Sequence, residues 1–189
     1  HERIQKVWME LFHHQVDQPE VHALMRELRR VIDEYPGKVL VGETDDIRFY
    51  GDGHDELHLS FNFALMRTNR MTPQWVRKNQ DERLNALPTG SWPCNTLGNH
   101  DSARMMSEFG DGENDLAIAR VNLAMLLTLW GTPFLYNGEE IGMTNTLVDD
   151  PRWFRDPLCA RAYRLETQLL GSSHIEAVQR AARDGRDKT

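Results

Sequence analysis

The chain has 189 residues, of which 40% are hydrophobic and 27% charged; this composition is ordinary for a globular protein and excludes a disordered one. No apolar run approaches the roughly 20 residues needed to cross a bilayer, and residues 1–6 lack the apolar core of a signal peptide, so we expect no membrane partner. The formal net charge of −7 argues against a nucleic-acid partner, because nucleic-acid binders concentrate Lys and Arg on one face.

The first part of the chain predicts a helix followed by a strand. Apolar residues recur at three- and four-residue spacing over residues 19–35, which predicts a helix that Pro36-Gly37 stops. Residues 38–42 predict a short strand, buried on both faces because Val39-Leu40-Val41 does not alternate. Residues 57–63 suit a second strand by their alternation and aromatic content. The order helix, tight turn and strand is typical of a βα repeat.

The second part continues the alternation. A helix capped by Thr72 is predicted over residues 72–84, and a strand then leads to Asn99-His100-Asp101. Residues 115–130 predict a helix that is apolar over most of its circumference, so we expect it to be deeply packed. A fourth strand is predicted at residues 134–136, and from Thr144 onward the pattern is polar and helical.

Four strands alternating with three helices predict the α/β fold class and match half of an eight-stranded (β/α)8 TIM barrel, whose full form takes about 250 residues. A small flavodoxin-like sheet is the alternative. Three successive strands end in acidic or His-containing loops, which favours the barrel, where every strand contributes to one central site. We expect residues 1–143 to form a partial barrel and residues 144–189 a polar helical segment of the same domain.

Two of the strand ends carry candidate catalytic acids. Glu43 directly follows one apolar strand, and Asp101 follows another. Ligands of α/β folds bind at the carboxyl ends of the strands, where partial desolvation can raise the pKa of a carboxylic acid toward the range useful for proton transfer. For each acid alone, an ordinary polar residue opening a loop is the alternative. The residues by themselves leave open which of the two would be a nucleophile and which a stabiliser.

Three segments together resemble the α-amylase superfamily of glycoside hydrolases, family 13. These are Val41-Gly42-Glu43, Gly98-Asn99-His100-Asp101 and residues 131–143, which are similar to the third and fourth signature regions and the last barrel strand. Trp92-Pro93 before the second segment and Arg104 after it resemble the α-glucosidase and oligo-1,6-glucosidase branch. The resemblance implies the C-terminal half, about strands 5 to 8, of the barrel of a retaining α-glucosidase that acts on α-linked glucose oligosaccharides.

The resemblance also implies a role for each site residue. Glu43 would be the general acid/base and Asp101 the stabiliser of the transition state, with His100, Asn99 and Arg104 binding the sugar. The family's nucleophile is an Asp within a Gly-x-Arg-x-Asp segment, which this sequence lacks. We therefore expect the nucleophile to lie upstream of His1, and the chain to be a fragment that is inactive alone.

The half-barrel interpretation has one further consequence, and the proposed activity has two alternatives. A half barrel leaves sheet edges and apolar surface open, so we expect the fragment to self-associate. One alternative is a non-catalytic barrel, similar to the heavy subunits of amino-acid transporters. Within the enzyme class, the alternative is an α-glucosyl transferase or mutase that processes sucrose or trehalose.

No cofactor and no metal are predicted. His54 and His58 have ligand-like spacing but lack the context of a zinc helix, and residues 110–115 predict a turn and helix cap rather than a calcium loop. Cys94 and Cys159 are far apart in sequence and indicate neither a disulfide framework nor a zinc site. We expect a cytoplasmic location.

Several aromatic and acidic residues have two interpretations. Trp130 ends the apolar helix and is predicted to lie in the core, whereas Trp92 and Trp153 lie in loops where they could stack on a sugar ring. Glu139-Glu140 follows the fourth strand and could reach a substrate or support the barrel rim.

Overall fold

The computed structural model describes residues 14–15, 18–146 and 148–188; residues 1–6, considered above as a signal peptide, lie outside these ranges. The chain divides into two compact units. The first contains the residues up to Asn62 together with Gln80–Cys94, and the second contains Phe63–Asn79 together with the residues from Asn95 onward.

Among the described residues, the first unit contains the helix α1 (Glu20–Asp33) and a two-stranded parallel sheet. Its elements are α1, β1 (Val41–Gly42), a 3-10 helix (Ile47–Tyr50) and β2 (Leu59–Ser60), followed later in the chain by the second half of α3 (Pro73–Ala86). In the sheet, Val41 lies opposite Leu59 and Gly42 opposite Ser60. Tyr50, Leu57 and Ser60 are buried in this unit.

The second unit is mostly helical. It contains α2 (Phe63–Met66), the first half of α3, β3 (Cys94–Thr96, apart from Cys94), α4 (Met105–Phe109), α5 (Asp115–Thr128), β4 (Thr132–Phe134), 3-10 helices at Glu139–Ile141 and Pro151–Trp153, α6 (Pro157–Gln168) and α7 (His174–Asp184). β3 and β4 are hydrogen-bonded neighbours. The core of this unit is formed by six buried residues from three of these elements and a loop: Leu65, Leu97, Met105, Phe109, Ala119 and Leu126.

The predicted helices over residues 19–35, 72–84 and 115–130 are confirmed as α1, α3 and α5. Thr72 caps α3 as expected, because its hydroxyl accepts a hydrogen bond of 3.2 Å from the Trp75 N–H. Residues after Thr144 contain no strand in the part that the structure describes, as the polar pattern indicated. None of the helices described combines the length and apolar character that a membrane-spanning segment needs.

The strands are shorter than the sequence predicts. β1 and β2 span two residues each, residues 63–66 are helical, and β4 covers residues 132–134 rather than 134–136. Each strand has a single hydrogen-bonded neighbour among the described residues, so little backbone is held in extended pairing. The prediction that Val39-Leu40-Val41 is buried on both faces is wrong, because Val39 is 59% exposed and Val41 is 39% exposed.

Deep packing of α5 is also not observed. Ala119, Asn122 and Leu126 are buried, whereas other apolar residues of the helix, including Val121 and Leu127, are more than half exposed. Trp130, predicted to lie in the core, is 62% exposed. The helix therefore has apolar surface on faces that the described residues do not cover.

Candidate active site

Glu43 lies directly after β1 in the first unit, and its side chain is exposed. The strand brings it to the carboxyl end of the small parallel sheet, the edge at which the sequence analysis expects a catalytic acid. The loop that follows turns at once into the 3-10 helix. Asp46 caps this 3-10 helix, because its carboxylate accepts a hydrogen bond of 2.9 Å from the Arg48 N–H. The hydrogen bond from the Arg48 side chain holds the pKa of Asp46 below its ordinary value.

A long-range contact holds the backbone beside Glu43. Arg83 of α3 donates from Nη1 to the Asp45 carbonyl (2.7 Å) and from Nη2 to the carbonyls of Ser60 (2.9 Å) and Phe61 (3.2 Å). Ser60 in turn donates its hydroxyl to the Thr44 carbonyl (2.9 Å). The guanidinium fork therefore joins the loop after β1 to the end of β2.

The loop after β3, in the second unit, carries the other four predicted site residues. Asn99 closes a tight turn: its Oδ1 accepts from the Asp101 N–H (3.0 Å) and from the Ser102 hydroxyl (2.8 Å), while its own N–H donates to Ser102 Oγ (3.0 Å). The amide oxygen of Asn99, predicted to bind the sugar, is thus engaged in holding the backbone of Asp101.

His100 and Asp101 are both exposed at the tip of this turn. His100 Nε2 lies 3.4 Å from Asp101 Oδ1, and Arg186 Nη1 forms an ion pair with the same carboxylate oxygen at 3.1 Å. Arg186 follows α7, and its N–H donates to Asp156 Oδ2 (3.1 Å) at the start of α6. The structure therefore gives Asp101 a cationic neighbour from a distant part of the second unit.

Arg104, at the end of the same loop, is buried, with 7% of its surface exposed. Its guanidinium carbon lies 4.3 Å from the centre of the Tyr136 ring, and Nη1 donates to the Asn137 carbonyl. Its backbone N–H donates to Asn145 Oδ1 (2.7 Å). Arg104 was predicted to contact the sugar, and in this structure its charged group instead packs on the segment after β4.

Glu139 is the buried acid of the second unit, with 1% of its surface exposed. Oε2 accepts from the Tyr136 N–H (3.0 Å), and burial raises the pKa of the carboxyl group although Arg104 opposes this. The sequence left two roles open for Glu139, contact with a substrate and support of the barrel rim, and its burial favours the second. Glu140, its neighbour, is exposed and accepts from the Gly138 N–H (2.8 Å).

The remaining candidates have structural partners or exposed positions. His58 accepts from the Leu40 N–H at 3.0 Å, and Asp111 forms the expected turn by accepting from the Glu113 N–H at 2.9 Å. Burial raises the pKa of the Cys94 thiol to about 12. Trp92 and Trp153 are 47% and 64% exposed.

A family model of the alpha-amylase catalytic domain matches residues 4–188. The chain belongs to this family. The alpha-amylase catalytic domain is a TIM-barrel fold, so the predicted α/β barrel class and the predicted family are confirmed.

The alpha-amylase family includes curated relatives of this chain that are named as α-glucosidases. A probable alpha-glucosidase of Rhizobium meliloti (strain 1021) is 32% identical over 141 residues, which cover 70% of this chain and 25% of the relative. An oligo-1,6-glucosidase of Parageobacillus thermoglucosidasius is 27% identical over 186 residues, which cover 89% and 33%. The chain thus spans between a quarter and a third of the length of these two relatives.

Two solved structures support the fold assignment. Trehalose-6-phosphate hydrolase of Bacillus licheniformis superposes with a TM-score of 0.70 at 26% identity and covers 91% of this chain and 34% of its own. Isomaltulose synthase of Erwinia rhapontici, solved as a mutant with its natural substrate sucrose, gives a TM-score of 0.71 at 25% identity. The match covers 91% of this chain and 34% of the synthase chain.

Sequence reasoning missed two residues that contact the two loops, and it left the role of Glu139 open. Arg83 lies on a highly charged helix, and Arg186 lies in a charged run after α7. Local pattern gave Arg83 and Arg186 no distinguishing signal, because their partners lie 22 or more residues away. For Glu139, the glycine at position 98 was a usable signal, since it implies close approach of another group.

Proposed function

We propose that this chain is the C-terminal half, about strands 5 to 8, of the catalytic barrel of an α-glucosidase. Residues 1–143 would supply barrel elements and residues 144–189 a helical segment of the same domain. The observation that carries the proposal is the placement of Glu43 directly after β1 and of Asn99-His100-Asp101 just after β3. TIM-barrel enzymes place their catalytic residues at these strand ends.

The proposed chemistry is a retaining double displacement. An aspartate supplied from upstream of this chain attacks the anomeric carbon, the bond to the leaving oxygen breaks, and Glu43 donates its proton to that oxygen. In the second step the Glu43 carboxylate takes a proton from water, the water oxygen attacks the anomeric carbon, and the bond to the aspartate breaks. Asp101 stabilises the positive charge that develops on the sugar ring.

The neighbours of Asp101 fit this role. His100 is 3.4 Å and Arg186 3.1 Å from the carboxylate, so cationic or hydrogen-bonding groups surround the position of the sugar hydroxyls that Asp101 would bind. The substrates we propose are short α-linked glucose oligosaccharides, on the support of the relatives named as α-glucosidases and oligo-1,6-glucosidases.

Transfer of the glucosyl group to another sugar is a second candidate. It is supported by the likeness to isomaltulose synthase, at 25% identity over 91% of this chain. The two candidates share the first displacement and differ in the acceptor of the second. Product analysis with sucrose as donor separates them, because hydrolysis releases free glucose whereas transfer yields a new disaccharide.

We also propose that the 189-residue chain self-associates. α1 exposes Leu24 and Val31, Tyr35 beyond its end is also exposed, and α5 exposes Val121 and Leu127, all by at least 46%. Apolar surface of this extent is typically buried by association. Size-exclusion chromatography with light scattering is the test, and a stable monomer over a range of concentrations would contradict the proposal.

The experiment that tests the proposed function compares hydrolysis of p-nitrophenyl α-D-glucoside by this chain and by a longer protein that includes the rest of the catalytic domain. Activity in the longer protein alone supports a barrel whose nucleophile lies upstream. Activity in the 189-residue chain would contradict the missing nucleophile, and inactivity of both with this substrate and with isomaltose would contradict the α-glucosidase assignment.

A further inference from the structure

Gly98, the residue before the Asn99 turn, lies against the buried carboxyl group of Glu139. A Cβ atom at position 98 would come within 2.5 Å of Glu139 Oε1. The backbone at Gly98 has no positive φ, so the requirement for glycine comes from this close approach and not from a left-handed conformation. The loop that carries His100 and Asp101 therefore begins in direct contact with Glu139.

Glu139 also fixes the turn that follows β4. Its Oε2 accepts from the Tyr136 N–H (3.0 Å), and its own N–H donates to the Tyr136 carbonyl (3.0 Å). Oε1, which faces Gly98, forms no hydrogen bond with any residue that the structure describes. A buried oxygen left in this state costs free energy, so its retention in the fold indicates a role beyond packing.

Arg104 connects the other end of the same loop to the same turn. The guanidinium lies over the Tyr136 ring, and Nη1 donates to the Asn137 carbonyl. The Arg104 N–H is held by Asn145, which in turn donates its N–H to Ser107 Oγ (2.8 Å). Residues 98 and 104 are thus both anchored on residues 136–139.

We propose that Glu139 is a positioning residue for the loop 98–104, and that it sets the place of His100 and Asp101 together with Arg104 through the turn 136–139. Glu139 contacts the loop where it begins, and Arg104 anchors it where it ends. The loop is therefore fixed at both of its ends. The catalytic consequence of this inference deepens the proposed function and rests on it. Its structural content concerns the second unit alone and is testable without activity.

Hydrogen exchange measured by mass spectrometry on the 189-residue chain tests the structural content. The loop amides of Gly98, Asn99, Asp101 and Arg104 donate hydrogen bonds, so they report directly on the loop. Glu139→Ala should accelerate exchange in a peptide over residues 97–106 by about tenfold, with peptides of α1 unchanged. Glu139→Gln, which keeps an acceptor for Tyr136, should exchange at the original rate. Glu140→Ala is the matched control and should leave the loop unchanged.

The contact itself is tested from the opposite side. Gly98→Ala should open the loop as Glu139→Ala does, because its methyl group collides with Oε1. In the Glu139→Ala background the collision partner is gone, so the same methyl group should add little further exchange. Unchanged loop exchange in Glu139→Ala, or additive effects of the two changes, would overturn the proposal. If Glu139→Ala does not fold, the positioning role is tested with Gly98→Ala and Arg104→Lys. Loop exchange at the original rate in both variants would then refute this role.

The catalytic consequence is measured in the longer protein with p-nitrophenyl α-D-glucoside. Glu139→Ala and Arg104→Lys should lower kcat by about 100-fold, the loss typical of a catalytic group displaced by about 1 Å. KM should change by less than about threefold, and Glu139→Gln should restore kcat to within about threefold. Equal loss in Glu139→Gln and Glu139→Ala would overturn the catalytic part. An inactive longer protein would instead contradict the proposed function, and the exchange results would still decide the positioning role.

Discussion

The two loops that carry candidate acids are stabilised in different ways. The loop after β3 is closed by its own residues, since Asn99 and Ser102 exchange hydrogen bonds that fix the backbone of Asp101. The loop after β1 has shorter closures of its own, in which the Thr44 hydroxyl accepts from the Asp46 N–H (3.1 Å), and Arg83 binds the Asp45 carbonyl from a helix 38 residues further along the chain. Both loops present an acid at the end of a strand, but the distant contact lies inside the first loop, whereas the contacts of Glu139 and Arg104 lie at the ends of the second.

This difference concerns how the backbone beside each candidate catalytic acid is held. In the loop after β3, Asn99 and Ser102 close the turn around Asp101, and the contacts of Glu139 and Arg104 act at the two ends of the loop. In the loop after β1, the Arg83 guanidinium binds the Asp45 carbonyl within the loop and joins it to the adjacent carbonyls of Ser60 and Phe61. Substitution of Arg83 should therefore affect the Glu43 loop, and substitution of Glu139 or Arg104 the Asp101 loop.

The largest expected effect concerns the chemical role of the first loop. In the longer protein, Glu43→Gln should lower kcat for p-nitrophenyl α-D-glucoside by at least about 10²- to 10⁴-fold, the contribution of general acid/base catalysis. Asp45→Asn, which changes an acid two residues away in the same loop, is the matched control and should lose less than about threefold. Comparable losses in the two variants would mean that loop charge, and not proton transfer by Glu43, determines the rate.

The next effect tests the distant support of that loop. Arg83→Met removes hydrogen bonds to three carbonyl groups, and we expect a loss of about 2–3 kcal/mol in the free energy of unfolding. The exposed Arg77 lies on the same helix, and Arg77→Met should change stability by less than about 0.5 kcal/mol. Urea unfolding of the 189-residue chain gives both values, and equal values would remove Arg83 from the role assigned here.

The local closure of the second loop predicts a smaller and non-additive effect. Asn99→Ala and Ser102→Ala each remove part of the same turn, and we expect each to cost about 1 kcal/mol. The double variant should cost little more than either single one, because the two side chains act as a unit. A double-mutant cycle by urea unfolding measures the coupling.

Activity in the longer protein then separates the two roles of Asn99. If Asn99 acts through the turn, Ser102→Ala should reproduce the loss of kcat seen in Asn99→Ala. A rise in KM that occurs only in Asn99→Ala would instead show the direct contact with the sugar that the sequence predicted.

The sequence predicted what depends on short-range pattern. Helical periodicity and capping residues located α1, α3 and α5 within two residues at each end, and the motifs located both acid-bearing loops. The strands were overestimated, since strand length is determined by pairing partners and not by apolar character alone. The apolar circumference of α5 predicted burial, but the cover it needs is only partly present among the described residues.

The assignments of Asn99, Arg104 and Glu139 show where pattern is insufficient. A motif gives the residue type and its place in a loop, whereas the direction of the side chain depends on contacts with distant segments. Arg104 packs on Tyr136, 32 residues away, and no local signal distinguishes this from a solvent-exposed arginine. Sequence thus identified the groups that could react, and structure identified those that hold them.

The smallest expected effect distinguishes the supports of the two loops by their pH dependence. Arg83 stays charged at all pH values of interest, so the cost of Arg83→Met should be constant between pH 4 and 8. Glu139 differs, because burial raises its pKa above the ordinary value of 4.5. The folded chain then binds more protons than the unfolded chain between 4.5 and the raised pKa, and stability falls as the pH rises through this window.

Glu139→Gln removes that titration while it keeps the acceptor for the Tyr136 N–H. The variant should therefore lose less stability than the original chain as the pH is raised from 4 to 8, and its melting temperature relative to the original should increase across this range. Glu140→Gln removes an exposed acid whose charge adds to the raised pKa of Glu139, so it should reduce the pH dependence without removing it. Parallel melting profiles for Glu139→Gln and the original chain would show that Glu139 is ionised without cost in the fold, and the loop after β3 would then be supported as independently of pH as the loop after β1.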